Sequence, residues 1–145
     1  MHALTGADLL LCPICRQRLA VADGSFVCEQ RHSFDRAREG YVNLLRTRRT
    51  GDSKEMLLAR RAFLDRGHYA PLARQLCRLA QRALDAREQS ESPAVILDAG
   101  CGEGYYLAQL MHSLGSTPGM GACVYLGLDS AKEAARLASK RCPEA

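Results

Sequence analysis

The stretch Ala94-Val-Ile-Leu-Asp-Ala-Gly-Cys-Gly-Glu-Gly-Tyr-Tyr106 joins a short apolar run to a loop with a glycine at every second position. The apolar run predicts a buried strand, and the glycines predict a tight loop that opens a helix at about residues 105–112. A second strand over 123–129 and a second helix over 131–141 follow. The order strand–loop–helix–strand–helix predicts an α/β fold with a parallel sheet.

The glycine loop has a spacing that indicates which ligand it suits. A dinucleotide fingerprint reads G-x-G-x-x-G, whereas Gly100, Gly102 and Gly104 are each separated by one residue. Asp98 before the loop disfavours a pyrophosphate and suits a cationic ligand such as S-adenosylmethionine (SAM), which carries an ammonium and a sulfonium group. Asp129 ends the second strand and can accept hydrogen bonds from ribose hydroxyls. We therefore predict a SAM site at these five residues; the alternative is a tight turn that binds no ligand.

Three cysteines and a histidine near the start of the chain have the spacing of metal ligands. Cys12 and Cys15 form a CxxC pair, and Cys28 and His32 form a second pair after twelve intervening residues. Two such pairs suit a tetrahedral zinc ion, and no activating carboxylate stands nearby, so the predicted zinc site is structural. A coincidental cysteine pair is the alternative. A nucleic-acid finger of the Cys2His2 type is disfavoured, because no recognition helix follows the second pair.

Composition narrows the class of protein. The chain has 145 residues, 47% apolar and 25% charged, with no apolar run long enough for a membrane span. It shows no secretory pattern, and its seven cysteines are an odd number, so we expect a cytoplasmic protein with free thiols and no membrane partner.

Charge is distributed unevenly along the chain. The net charge is +4, and residues 31–61 hold 9 basic against 4 acidic side chains. Such an excess suits a polyanion such as RNA, although charge alone slightly favours a solvated arginine-rich face.

A helical segment is predicted between the zinc-binding module and the α/β block. Asp52 and Glu55 have the spacing of a capping box at a helix start, and Pro71 can begin a second helix. Leucines and alanines then recur at helical spacing, which predicts a leucine-rich apolar stripe that packs in the core; they are Leu72, Leu76, Leu79, Ala80, Ala83 and Leu84. We expect a zinc-binding module at 1–50, followed by the connector and the α/β block at 51–145.

Several of these stretches together resemble one known family. Residues 28–45, 51–53, 59–65, 67–69 and 97–106 are similar to the 23S rRNA (guanine-N1)-methyltransferases of the RlmA/TlrB type. The resemblance implies a zinc-binding module that helps to recognise a 23S rRNA hairpin, followed by a class I, Rossmann-like SAM-dependent methyltransferase domain.

The resemblance also implies site residues. Carried over by position, SAM contacts fall to Tyr69, Gly102 and Glu103, and Tyr69 rests on the resemblance alone. Family members are nearly twice as long, so we expect an N-terminal half, with the methyltransferase domain truncated and its sheet left with open apolar edges. No catalytic base is assigned, and a homodimer is carried as a candidate assembly. Two other functions stay open: a non-catalytic zinc-containing RNA-binding module, and a SAM enzyme that acts on a small molecule.

Overall fold

The N-terminal module is a small antiparallel sheet preceded by a single 3-10 turn at Gly6–Leu9. Its strands are β1 (Ala20–Ala22), β2 (Ser25–Val27) and β3 (Ser33–Asp35), in the spatial order β1-β2-β3. Strands of three residues bury little apolar surface, so such a sheet requires another source of stability. The computed structural model describes residues 6–47, 51–87, 92–115 and 123–145.

Two helices form the connector: α1 (Lys54–Asp65) and α2 (Ala70–Asp85). The capping residue of α1 differs from the prediction. Ser53, and not Asp52, is the N-cap, and its hydroxyl accepts a hydrogen bond from the Met56 backbone N–H at 3.3 Å. The Asp52 carboxylate lies outside the helix and forms an ion pair with Arg60.

The α/β block consists of β4 (Ala94–Ala99), α3 (Tyr105–Gly115), β5 (Cys123–Leu128) and α4 (Lys132–Arg141). The predicted parallel sheet is confirmed, because β4 and β5 pair in parallel from Ala94↔Cys123 to Ala99↔Leu128. The carboxyl ends of both strands therefore meet at one edge, where the glycine loop begins.

The buried core lies between the helices and one face of this sheet. Leu57 of α1 packs with Ala134 and Leu137 of α4, and Leu64 packs with Ala73 and Tyr105 at the junction of α1, α2 and α3. An added Cβ on Gly127 of β5 would lie 3.1 Å from the Leu107 side chain, so α3 covers this face of the sheet closely.

The prediction that the leucine stripe of α2 packs in the core is wrong. Leu72, Leu76 and Leu79 are 46%, 37% and 50% exposed, whereas Ala73 and Cys77 of the same helix are buried. The reason is that α2 contacts α3 through its small side chains, which allow the two helices to approach closely. The larger leucines lie beside this contact.

The face of the β4–β5 sheet opposite the helical core carries exposed side chains. Side chains alternate between the two faces of a strand, and in β4 the exposed set includes Val95 and Leu97, at 45% and 54%. Leu128 on β5 is 46% exposed. Apolar side chains are therefore exposed on this face of the sheet. In the described part of the chain, no helix has the length and apolar character needed to cross a bilayer.

Candidate zinc centre and glycine loop

The four predicted metal ligands lie together. The Cys15 and Cys28 sulfurs are 3.6 Å apart, and His32 Nδ1 lies 3.5 Å from Cys12 Sγ and 3.4 Å from Cys28 Sγ. All four ligand atoms lie within 4.8 Å of one another. A tetrahedral zinc ion with Zn–S bonds of about 2.3 Å requires ligand separations of roughly 3.7 Å. The cluster therefore has the size of a zinc site.

Two tight turns bring these ligands together. The Arg16 N–H donates to the Cys12 carbonyl at 2.9 Å, and the Arg31 N–H donates to the Cys28 carbonyl at 2.8 Å. Both arginines have positive φ, 65° and 63°, which is uncommon for a residue with a Cβ. Both are exposed, so each turn that holds ligands also presents a cationic side chain to solvent.

The environment of Cys12 favours its thiolate. Burial raises the pKa of the Cys12 thiol, but hydrogen bonds from the backbone of Cys15 and Ile14 and from the neighbouring thiols outweigh it and lower that pKa to about 6. The thiolate is the form that binds metal ions.

The glycine loop takes a conformation that favours glycine at three positions. Gly100, Gly102 and Gly104 have φ of 86°, 56° and 86°. At Gly104 the close approach of α4 adds a second constraint, since an added Cβ would lie 3.1 Å from Ala138 Cα. The Gly100 and Cys101 N–H groups both donate to the Leu128 carbonyl, at 2.7 and 2.9 Å, which ties the loop to the end of β5.

Open space lies over the first part of this loop. An added Cβ on Gly100 would meet no atom within 4 Å, and one on Gly102 would meet only Arg60 Nη1, at 4.0 Å. A cavity of about 970 Å³ adjoins it, between the N-terminal module and the sheet, with Gly100 and Asp129 in its lining. Cavities of this size are typical of small-molecule sites.

The two predicted carboxylates take different roles at this edge. Asp129 holds the loop, because Oδ2 accepts from the Gly102 N–H at 2.9 Å and Oδ1 from the Ala131 N–H at 2.7 Å. Asp98 Oδ2 is buried, and no partner for it lies among the residues that the structure describes. The pKa of Asp98 is raised, first by burial and then by the nearby charge of Asp129. A hydrogen bond from the Leu107 backbone acts in the opposite direction but is outweighed. A cationic group beside Asp98 would compensate this buried oxygen, so the residues fit the ammonium group of SAM.

Tyr69 lies at the start of α2, and Glu103 lies within the loop. Tyr69 is the N-cap residue of α2, 43% exposed, with its ring edge-on to Phe63 at 5.9 Å. Burial, and then Tyr69, raises the pKa of Tyr106, so Tyr69 lies near the first turn of α3. Glu103 is 1% exposed, and its carboxylate faces Arg141 Nε at 3.1 Å. The Glu103 carboxylate is therefore engaged inside the protein and does not line the cavity.

Sequence reasoning missed two residues at this site. Arg60 reaches the loop from α1, and Arg141 reaches it from the last turn of α4. Both are ordinary basic residues of amphipathic helices in the sequence, and only the packing of α1 and α4 around the loop singles them out.

Comparisons with known proteins agree with the predicted resemblance. Residues 10–49 match the zinc-ribbon family model described as "RlmA, N-terminal". The chain is 41% identical over 138 residues to a 23S rRNA (guanine(748)-N(1))-methyltransferase of Streptomyces fradiae, over 94% of this chain and 46% of that protein. The chain matches the N-terminal half of these methyltransferases.

Two further relatives extend the match. A protein of Micromonospora griseorubida, provisionally named a 23S rRNA (guanine-N(1)-)-methyltransferase, is 39% identical over 94% of this chain and 49% of its own length. A provisionally named methyltransferase of Bacillus subtilis is 33% identical over 92% of this chain and 46% of its own length. The predicted resemblance is thus confirmed, and the chain spans about half the length of the curated relatives it matches. The N-terminal module is a zinc ribbon.

Proposed function

We propose that this chain supplies the rRNA-binding zinc ribbon and the SAM-binding half of a methyltransferase that acts on N1 of a guanine in 23S rRNA. The observation that carries the proposal is the pairing of this ribbon with a glycine loop flanked by the acidic residues Asp98 and Asp129. Both features lie within one alignment at 41% identity to a methyltransferase of that specificity.

The glycine loop and its carboxylates are the proposed cofactor site. The Asp98 carboxylate would accept hydrogen bonds from the ammonium group of SAM, and the glycine loop would lie along the cofactor. Asp129 accepts the ribose hydroxyls, because each of its oxygens retains a lone pair beyond the backbone hydrogen bond that it already accepts. Tyr69 closes the site from α2. When bound, SAM supplies an electrophilic methyl group.

The zinc ribbon is the proposed contact with RNA. Zn²⁺ held by Cys12, Cys15, Cys28 and His32 fixes the two turns that carry exposed arginines. These arginines contact the phosphates of an rRNA hairpin, which orients the hairpin relative to the glycine loop. Within a hairpin the target guanine must leave its stack before a methyl donor can reach N1. We assign no general base for the N1 proton.

A second candidate is a non-catalytic zinc-containing RNA-binding module. The observation that favours it is that both turns of the zinc cluster present an exposed arginine, Arg16 and Arg31. We further propose that either form acts in the cytoplasm, where rRNA is found, and a homodimer is a candidate assembly for both.

Calorimetry of the zinc-loaded chain with SAM tests the proposal. We expect binding of one SAM per chain and no binding of NAD⁺, because Asp98 disfavours a pyrophosphate. A folded chain that binds an rRNA hairpin but not SAM would support the RNA-binding module instead.

Filter binding with a 23S rRNA hairpin tests the second half of the proposal. The affinity for RNA should fall as the salt concentration rises. Replacing Arg16 or Arg31 by Ala should in each case reduce the slope of log affinity against log salt by about one, which corresponds to one phosphate contact. Arg74→Ala, an exposed arginine on α2, is the control. A chain that binds SAM but no hairpin at low salt would indicate a small-molecule substrate.

A further inference from the structure

The guanidinium group of Arg141 contacts three elements around the glycine loop. Its Nε lies 3.1 Å from Glu103 Oε2 in the loop, and its Nη2 donates to both oxygens of Asp65, at 2.8 and 3.1 Å. Its Cζ lies 5.8 Å from the centre of the Tyr105 ring at the start of α3. One side chain of α4 thus joins the loop, the end of α1 and the start of α3.

This contact is largely removed from solvent. The side chain of Arg141 is 11% exposed and that of Glu103 is 1% exposed. Burial raises the pKa of Glu103, and the opposing effect of Arg141 is smaller. Such a pair adds little to stability, since desolvation offsets the attraction between the charges. Buried ion pairs of this kind can instead fix one arrangement of the groups around them.

The two partners of Arg141 belong to the two sides of the proposed cofactor site. Glu103 stands between Gly102 and Gly104. Asp65 is the last residue of α1, and the chain then turns at Gly67 (φ 82°) to place Tyr69 at the start of α2. The Arg141 guanidinium therefore directly links the loop to the turn that carries Tyr69.

We propose that Arg141 is a positioning residue for SAM binding, which holds the glycine loop and the Tyr69 turn in a fixed relation through Glu103 and Asp65. The carboxylate of Glu103 acts through this ion pair and does not itself contact the cofactor, because the whole residue is buried. This inference rests on the proposed function for its effect on SAM, whereas the positioning itself is a property of the chain without ligand.

The test compares Arg141→Met with Arg136→Met in the zinc-loaded chain. Arg136 is the matched control, because it lies on the same helix and pairs with Glu133 at 2.9 Å and with Glu39 at 3.6 Å. Amide hydrogen exchange is measured for peptides covering 98–106 and 64–70. We expect faster exchange in both peptides for Arg141→Met and in neither for Arg136→Met. Unchanged exchange in both peptides, or the same increase in the control, would overturn the proposal.

Calorimetry gives the functional readout. Arg141→Met should weaken SAM binding by about tenfold or more, as expected when binding groups are displaced by about an ångström. Arg141→Lys should recover part of this affinity, because one ammonium can meet only one of the two carboxylates. If the unsubstituted chain does not bind SAM, the proposed function fails, and the exchange data still decide whether Arg141 positions the loop.

Two milder variants cover the case in which Arg141→Met does not fold. Asp65→Asn alters an exposed side chain and should speed exchange only in 64–70. Glu103→Gln should speed exchange only in 98–106. Equal effects of both variants on both peptides would indicate general loosening and contradict the proposal.

Discussion

The zinc ribbon and the α/β block obtain their stability in different ways. The ribbon has strands of three residues, and its core is a small cluster around Cys12, Leu19 and Cys28, two of which are also proposed zinc ligands. The α/β block has longer elements and a helical core, yet it leaves Leu97 and Leu128 exposed on one sheet face. The ribbon is therefore complete once zinc is bound, whereas the α/β block has apolar surface that its own elements do not cover.

The largest expected effect is loss of the ribbon on removal of one ligand. Cys15→Ser removes a thiolate from a site whose metal binding contributes on the order of 10–16 kcal/mol in finger peptides. We expect the chain to lose zinc and the ribbon to unfold while the α/β block stays folded, as measured by metal content and by NMR. Cys77→Ser, a buried cysteine of α2, should retain zinc. A zinc-loaded Cys15→Ser chain would show that the ligand assignment is wrong.

The ribbon and the glycine loop were readily predicted because each is formed by residues that lie close together in the sequence at a characteristic spacing. Cys12, Cys15, Cys28 and His32 come together through two short turns, and β4 runs directly into its loop. The prediction that the leucine stripe of α2 is buried was wrong, because burial depends on elements distant in the sequence. Helical periodicity identifies an apolar face but does not show whether another element covers it, and here α3 packs against smaller residues. The role of Arg141 depends on contacts between residues up to 76 positions apart, which no local pattern encodes.

The second prediction separates backbone strain from close packing within the glycine loop. Gly104→Ala combines a left-handed conformation with a contact of 3.1 Å to Ala138 Cα, and should destabilise the α/β block by about 3 kcal/mol. Gly100→Ala has the same φ of 86° but open space around it, and should cost only about 1 kcal/mol. Urea unfolding measures both, and the zinc content should stay unchanged. Equal costs would mean that α4 does not approach the loop as closely as the structure indicates.

The third prediction separates the two proposed sites. Asp129→Asn removes the negative charge of the carboxylate that is proposed to accept hydrogen bonds from the ribose hydroxyls. Hydrogen bonds to charged groups contribute about 1.5–3 kcal/mol. The SAM dissociation constant should therefore rise roughly 10- to 100-fold while zinc is retained. Asp85→Asn, at the exposed end of α2, is the control. If SAM affinity is unchanged, Asp129 serves only to hold the Gly102 and Ala131 backbone.

The smallest expected effect tests whether the open sheet face is free in solution. Leu97 is 54% exposed, so Leu97→Lys should change the free energy of unfolding by no more than about 0.5 kcal/mol. Leu107, 1% exposed on the other side of the sheet, is the matched contrast, and Leu107→Ala should cost about 2–5 kcal/mol. Unfolding and sedimentation of both variants are measured at several protein concentrations. A large, concentration-dependent loss for Leu97→Lys would mean that a second copy of the chain covers this face, because a lysine there disrupts only a contact that exists.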